Sequence, residues 1–104
     1  MNIKQDLFEQ EVLNSKVPVL IDFWAPWCAP CRMLSVIIKE LEHEFGKSLK
    51  VIEVNVDEMP EAIELYDIKG VPTIMFFKNG KIVDRYVGGH SKEKLKEIIN
   101  KNIA

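Results

Sequence analysis

Apolar residues recur along this chain with two different periods, and the switches between them mark the elements. From Gln5 to Leu13, Leu7, Phe8, Val12 and Leu13 fall at helical spacing and predict a short amphipathic helix. Val17 to Trp24 (VPVLIDFW) is almost continuously apolar, as a strand buried on both faces of a sheet would be, with Pro18 tolerated only at its start. Cys31 to Phe45 places Leu34, Ile37, Ile38, Leu41 and Phe45 on one stripe, which predicts a long helix, and Gly46 sits where a left-handed cap would end it. Lys50 to Val56 alternates and is rich in β-branched residues, hence a strand. Asp57 and Pro60 open a short helical segment carrying Ala62, Leu65 and Tyr66 on one side. Thr73 to Phe77 is a further apolar strand, Asn79-Gly80 a hairpin turn, and Lys81 to Val87 its antiparallel return. Ser91 can cap a last helix striped by Leu95, Ile98, Ile99 and Ile103.

The first part of this order alternates strand, helix, strand, which requires parallel strands joined by a crossover, and the last part is a hairpin, which is antiparallel. An α/β fold follows: a central mixed β-sheet of four to five strands flanked by about four helices, in a single domain spanning residues 1–104. Composition narrows the function. Fourteen basic against 16 acidic residues give a net charge of −2, so no basic surface recommends a nucleic-acid partner. No apolar run approaches a membrane span, and the polar, acidic start MNIKQDLFEQ lacks the apolar core of a secretory signal. No membrane partner is expected from these features. Two cysteines are too few for a disulfide framework.

The two cysteines, Cys28 and Cys31, lie three apart at the mouth of the long helix. That spacing puts both sulfurs on one face, one turn apart. The unpaired N–H groups and the macrodipole of the first turn favour an anion at Cys28, and the thiolate is the attacking form of a cysteine. Cys31 lies deeper. Pro30 suits a first turn, where a missing N–H is harmless, and bulky Trp27 offers a flat apolar contact beside Cys28. Two other readings compete with redox chemistry. Structural zinc needs four ligands, and of the two histidines His43 lies about three turns further along the same helix, so no metal is expected. A buried inert pair gives no reason for the proline or the helix start. Asp22 interrupts an apolar run; a carboxylate there is desolvated and its pKa is expected to rise, whereas an exposed position is at odds with apolar neighbours on both sides. Val71-Pro72 reads from composition alone as a trans bond before an edge strand, and Gly88-Gly89 as a turn. Asp57, Glu58, Glu61 and Glu64 read as a solvated acidic face.

WAPWCAPC, the preceding VLIDFW, the VPT after Gly70 and the hairpin KNGKIVDRYVGG together resemble the thioredoxin family over essentially the whole chain. The resemblance implies a cytoplasmic, monomeric thiol–disulfide oxidoreductase that reduces disulfides in target proteins, cycles between a Cys28–Cys31 disulfide and a dithiol, and is restored by a separate thioredoxin reductase. It implies that Cys28 is the nucleophile, Cys31 the resolving thiol and Asp22 a buried proton acceptor and donor. Pro72 would be cis and face the cysteines, Val71 would pair with an extended substrate segment, and Trp27, Gly70 and Gly88 would complete a docking face. Trp24, Trp27, Ala29 and Pro30 would support the site. With no G-x-G-x-x-G fingerprint, no cofactor is expected and electrons arrive through a partner. Alternatives are a more oxidising disulfide oxidase or isomerase, and a non-redox subunit using the same docking face.

Three positions depart from the family pattern. Ala29 stands where glycine is usual, which puts the redox poise in question. Val36 stands where a kinking proline is common, so a straighter helix is expected. Glu53 stands where many relatives carry lysine; turned toward Asp22 it would raise that residue's pKa further, and turned to solvent it would not.

Overall fold

A computed structural model describes residues 8–103. Four strands form its sheet: β1 (Val19–Trp24), β2 (Lys50–Asn55), β3 (Thr73–Lys78) and β4 (Lys81–Val87). Their order is β2-β1-β3-β4, with β1 parallel to β2 and antiparallel to β3, and β3 antiparallel to β4. Three α-helices accompany them: α1 (Ala29–Phe45), α2 (Pro60–Leu65) and α3 (Lys92–Ile103). The expected α/β fold with a mixed sheet is therefore present, with four strands among the described residues.

Several boundaries differ from those read in the sequence. The first strand begins at Val19, two residues later than expected, because Pro18 cannot donate to a ladder and its carbonyl instead accepts from Lys50 N–H at 2.9 Å. The long helix begins at Ala29 and runs unbroken through Val36 to Phe45. Part of the expected first helix, residues 5–7, lies outside the described residues; Glu9–Leu13 forms a π-helical turn. Phe8 and Val12, four apart, bury together there, as they would in either kind of helical turn. Asp57 lies in the turn before α2, whose N-cap is Met59.

The alternation along β1 divides the core. Val19, Ile21 and Phe23 join Phe8, Val12, Met59, Ala62 and Ile68 on one face of the sheet. Leu20 joins Leu34, Ile38 and Leu41 of α1 and Leu95, Ile98 and Ile99 of α3 on the other. Such double coverage requires a continuously apolar strand, which explains VLIDFW. The hairpin turn places Asn79 at φ +54° and Gly80 at φ +78°, the pair of left-handed residues a tight two-residue connection needs. A Cβ at Gly80 would meet the Leu13 carbonyl oxygen at 3.1 Å, so glycine is required there twice over. Ser91 Oγ accepts from Lys94 N–H at 3.1 Å and caps α3.

This division predicts the response to truncation. Phe76→Ala, at a fully buried site between α1 and α3, is expected to cost about 3–5 kcal/mol in urea unfolding, and Val36→Ala, 59% exposed on α1, less than about 0.5 kcal/mol. Equal losses would mean that α1 presents a different face to the sheet.

Candidate active site

The end of β1 delivers the cysteine loop. A turn over Ala25–Cys28, closed by Cys28 N–H donating to the Ala25 carbonyl at 3.2 Å, leads directly into α1. Cys28 is the N-cap of that helix: its backbone is extended (φ −99°, ψ 106°) and its Sγ accepts from Cys31 N–H at 3.2 Å. A sulfur thus occupies the place of a capping oxygen. Ala29 and Pro30 follow as the first helical residues, and no acidic side chain in the first turn competes for the positive end of the helix. Cys28 and Cys31 form a disulfide, with Cys28 6% and Cys31 1% exposed, so the second cysteine is the deeper.

A second loop faces the first. The Val71-Pro72 bond is cis, and the Val71 carbonyl oxygen lies 3.8 Å from Cys28 Sγ. A disulfide sulfur carries no proton, so this is a contact and not a hydrogen bond. The loop is pinned on both sides: Thr73 Oγ1 donates to the Gly70 carbonyl at 2.6 Å, and Gly88 N–H donates to the Pro72 carbonyl at 2.9 Å. Gly88 has φ +93° and no atom within 4 Å of where a Cβ would stand, so glycine meets a backbone requirement and leaves the surface there open. Trp27 is 70% exposed beside Cys28, and its Nε1–H reaches Asp57 Oδ1 at 3.4 Å. Asp57, expected in the sequence to be merely part of a solvated acidic face, is therefore also a tether for this indole.

Asp22 lies on β1, the strand that leads into the cysteine turn. It is wholly buried, and neither carboxylate oxygen has a hydrogen-bond partner among the described residues. Alternation places it on the α1 side of the sheet with Leu20, between register neighbours Glu53 on β2 and Ile74 on β3. Burial, and secondarily the Glu53 charge, push its pKa from an ordinary 3.8 up to about 7. Glu53 is buried toward Asp22, which resolves the two orientations left open above.

With this geometry stand the similarities to known proteins. The Thioredoxin family model matches residues 1–101. A thioredoxin of Rickettsia bellii is 50% identical over 102 residues, covering 98% of this chain and 97% of that protein. Thioredoxin 1 of a Nostoc species is 44% identical over 97% of this chain and 94% of its own length, and a thioredoxin of Pyropia yezoensis 45% identical over 93% and 91%. The chain belongs to the thioredoxin family. Its function is that of the family: a protein-disulfide reductase working through the Cys-x-x-Cys pair on disulfide-containing protein targets, with a reductase as electron-supplying partner. No helix among the described residues is long and apolar enough to cross a membrane.

Two contributors to this thioredoxin site escaped the sequence reading. Asp57 is one. Met33 is the other: 73% exposed, it lines a cleft with Gly89, His90 and Pro30, the last of which stands between the two cysteines in the chain. Its signal was an apolar residue lying off the stripe of α1.

The buried acid has a consequence for stability. Between pH 4 and 7 the folded protein holds a proton on Asp22 that the unfolded chain has released, so stability is full below about pH 4, declines as pH rises toward about 7 and levels off above it. Asp22→Asn removes that loss. The variant is expected to match the parent near pH 3 and to exceed it by on the order of 4 kcal/mol above pH 7, as read by urea unfolding of the oxidised proteins. A pH-independent difference would show that Asp22 does not titrate in this way.

Proposed function

We propose that the reductase activity runs through the following roles. Cys28 thiolate attacks a target disulfide; the target's S–S bond breaks, one target sulfur leaves as a thiolate and the other remains bonded to Cys28. Asp22 accepts the proton of Cys31, and the Cys31 thiolate attacks Cys28 Sγ. The mixed disulfide breaks, the second target sulfur leaves and takes up a proton, and the Cys28–Cys31 disulfide forms. Two electrons have passed from the cysteine pair to the target. A thioredoxin reductase returns them. The observation that carries this assignment of roles is the N-cap position of Cys28, where the helix N-terminus favours a thiolate.

Trp27, Gly70, Val71, Pro72 and Gly88 serve as the docking face. The Val71 backbone is set to pair with an extended target segment, a mode that reads shape more than sequence. Its proximity to Cys28 Sγ, at 3.8 Å, supports this reading because the paired segment would present its disulfide to the nucleophile. Trp24, Ala29 and Pro30 support the site without touching the target. The protein acts in the cytoplasm as a monomer and feeds electrons into protein-disulfide reduction.

Two measurements test these roles. In the reduced protein at neutral pH, brief iodoacetamide treatment and mass mapping should label Cys28 about tenfold faster than Cys31, the ratio given by ~1.4 kcal/mol of thiolate stabilisation at a helix start. Faster labelling of Cys31 would reverse the assignment. Equilibration with a glutathione buffer should find the pair on the reducing side of glutathione, and a potential on the oxidising side would make the protein an oxidase or isomerase instead.

A further inference from the structure

Asp22 is placed so that a proton delivered to it has no direct way out. The residue is wholly buried and neither oxygen has a partner among the described residues. A cleft of about 350 Å³ opens above it between β2 and α1, bordered by Cys31, Arg32, Ser35, Lys39 and Glu53 but not by Asp22 itself. Glu53 alone belongs to both places. It is the register neighbour of Asp22 on the parallel strand, with its side chain on the same face of the sheet, and it reaches the cleft while remaining 8% exposed.

The surroundings leave Glu53 available for this. On β1 its neighbour is Asp22, and on β3 Asp22 faces the apolar Ile74. From α1 the charged groups bordering the cleft are Arg32 and Lys39, with Cys31 also lining it. The Arg32 guanidinium donates to the Pro26 carbonyl at 3.2 Å, and among the described residues no salt bridge engages Glu53. Arg32, Lys39 and Glu53 thus share the cleft, with Trp24 and Val36 also lining it, and Asp22 is next to Glu53 across the strand pair.

We propose that Glu53 is the relay through which Asp22 exchanges its proton with solvent. After Cys31 has given its proton to Asp22, the proton passes to the Glu53 carboxylate and from there to water or buffer in the cleft, and Asp22 is again ionised. In the return direction Glu53 takes a proton from the cleft and resupplies Asp22, which protonates the Cys31 thiolate when the disulfide is reduced. No electron moves in either transfer. Glu53 touches no target atom, so it is a positioning residue for the proton and not a catalytic one. The inference rests on the reading of Asp22 as proton acceptor.

The test is the single-turnover rate of target-disulfide reduction by the prereduced protein at pH 7, in dilute and in concentrated imidazole buffer. Glu53→Gln should be about tenfold slower than the parent in dilute buffer and should regain rate as imidazole is raised, because a small base in the cleft replaces the lost carboxylate. Glu53→Asp should stay near the parent rate. The pH midpoint of the rate should also fall by about one unit in Glu53→Gln, since a like charge beside Asp22 has gone. In an Asp22→Asn background the Glu53→Gln change should have no further effect. A Glu53→Gln protein as fast as the parent in dilute buffer overturns the relay, and so does a slow one that imidazole does not restore or that slows the Asp22→Asn background equally. The Asp22→Asn protein by itself separates the two readings: if it turns over at the parent rate, the role of Asp22 has failed, whatever Glu53 does. Should Glu53→Gln not fold, Glu53→Ala takes its place, and a parent-like rate in dilute buffer, or a slow rate that imidazole does not restore, overturns the relay.

Discussion

A carboxylate sealed inside an apolar sheet, without a hydrogen-bond partner among the described residues, is the constraint around which this molecule is arranged. Asp22 can be desolvated so thoroughly only on a central strand covered on both faces, and β1 is that strand, flanked by β2 and β3 and overlaid by α1 and α3 on the Asp22 side. The same strand runs on into the turn that caps α1 with Cys28. One element therefore holds the acid and aims the thiols. Its burial pushes the pKa of Asp22 to about 7, near the pH at which a proton acceptor and donor is most useful, and the stability given up in doing so is the cost of an acid tuned in this way.

In the roles proposed above, the site divides around the acid into a part that reacts and a part that receives. The reacting part is one helix start, where Cys28 takes the capping position and Cys31 sits a turn deeper. The receiving part is a loop fixed by hydrogen bonds at Gly70 and Pro72, together with an indole held by Asp57. Binding through backbone shape and a few apolar surfaces suits a reductase whose targets share a disulfide and little else.

The elements and most of the site were legible in the sequence because they rest on local rules. VLIDFW declared a doubly covered strand, the stripe from Leu34 to Phe45 declared a helix, and Asn79-Gly80 declared its turn. Cys28, Cys31 and Asp22 each stood out against their neighbours. What was not legible depends on long-range placement. Asp57 carries no local sign that it will meet an indole thirty positions away. The side of β2 on which Glu53 lies could not be read until register with β1 set it opposite Asp22. The cis bond at Val71-Pro72 ran against the composition-based reading, and only the resemblance to the family suggested it. The widened turn at Glu9–Leu13 shows the same limit, since helical spacing of Phe8 and Val12 does not distinguish one bonding pattern from another.

The account's central claim is that Cys28 attacks and Cys31 resolves, and a trapping experiment addresses it most directly. Each single-serine variant is reduced and mixed with a protein carrying an accessible disulfide, and the products are separated without reductant and mapped by mass. Cys31→Ser should accumulate a covalent one-to-one adduct through Cys28, because the attack occurs and the second step cannot, and Cys28→Ser should form little or none. An adduct that builds up on Cys31 in Cys28→Ser while Cys31→Ser stays free would contradict the account.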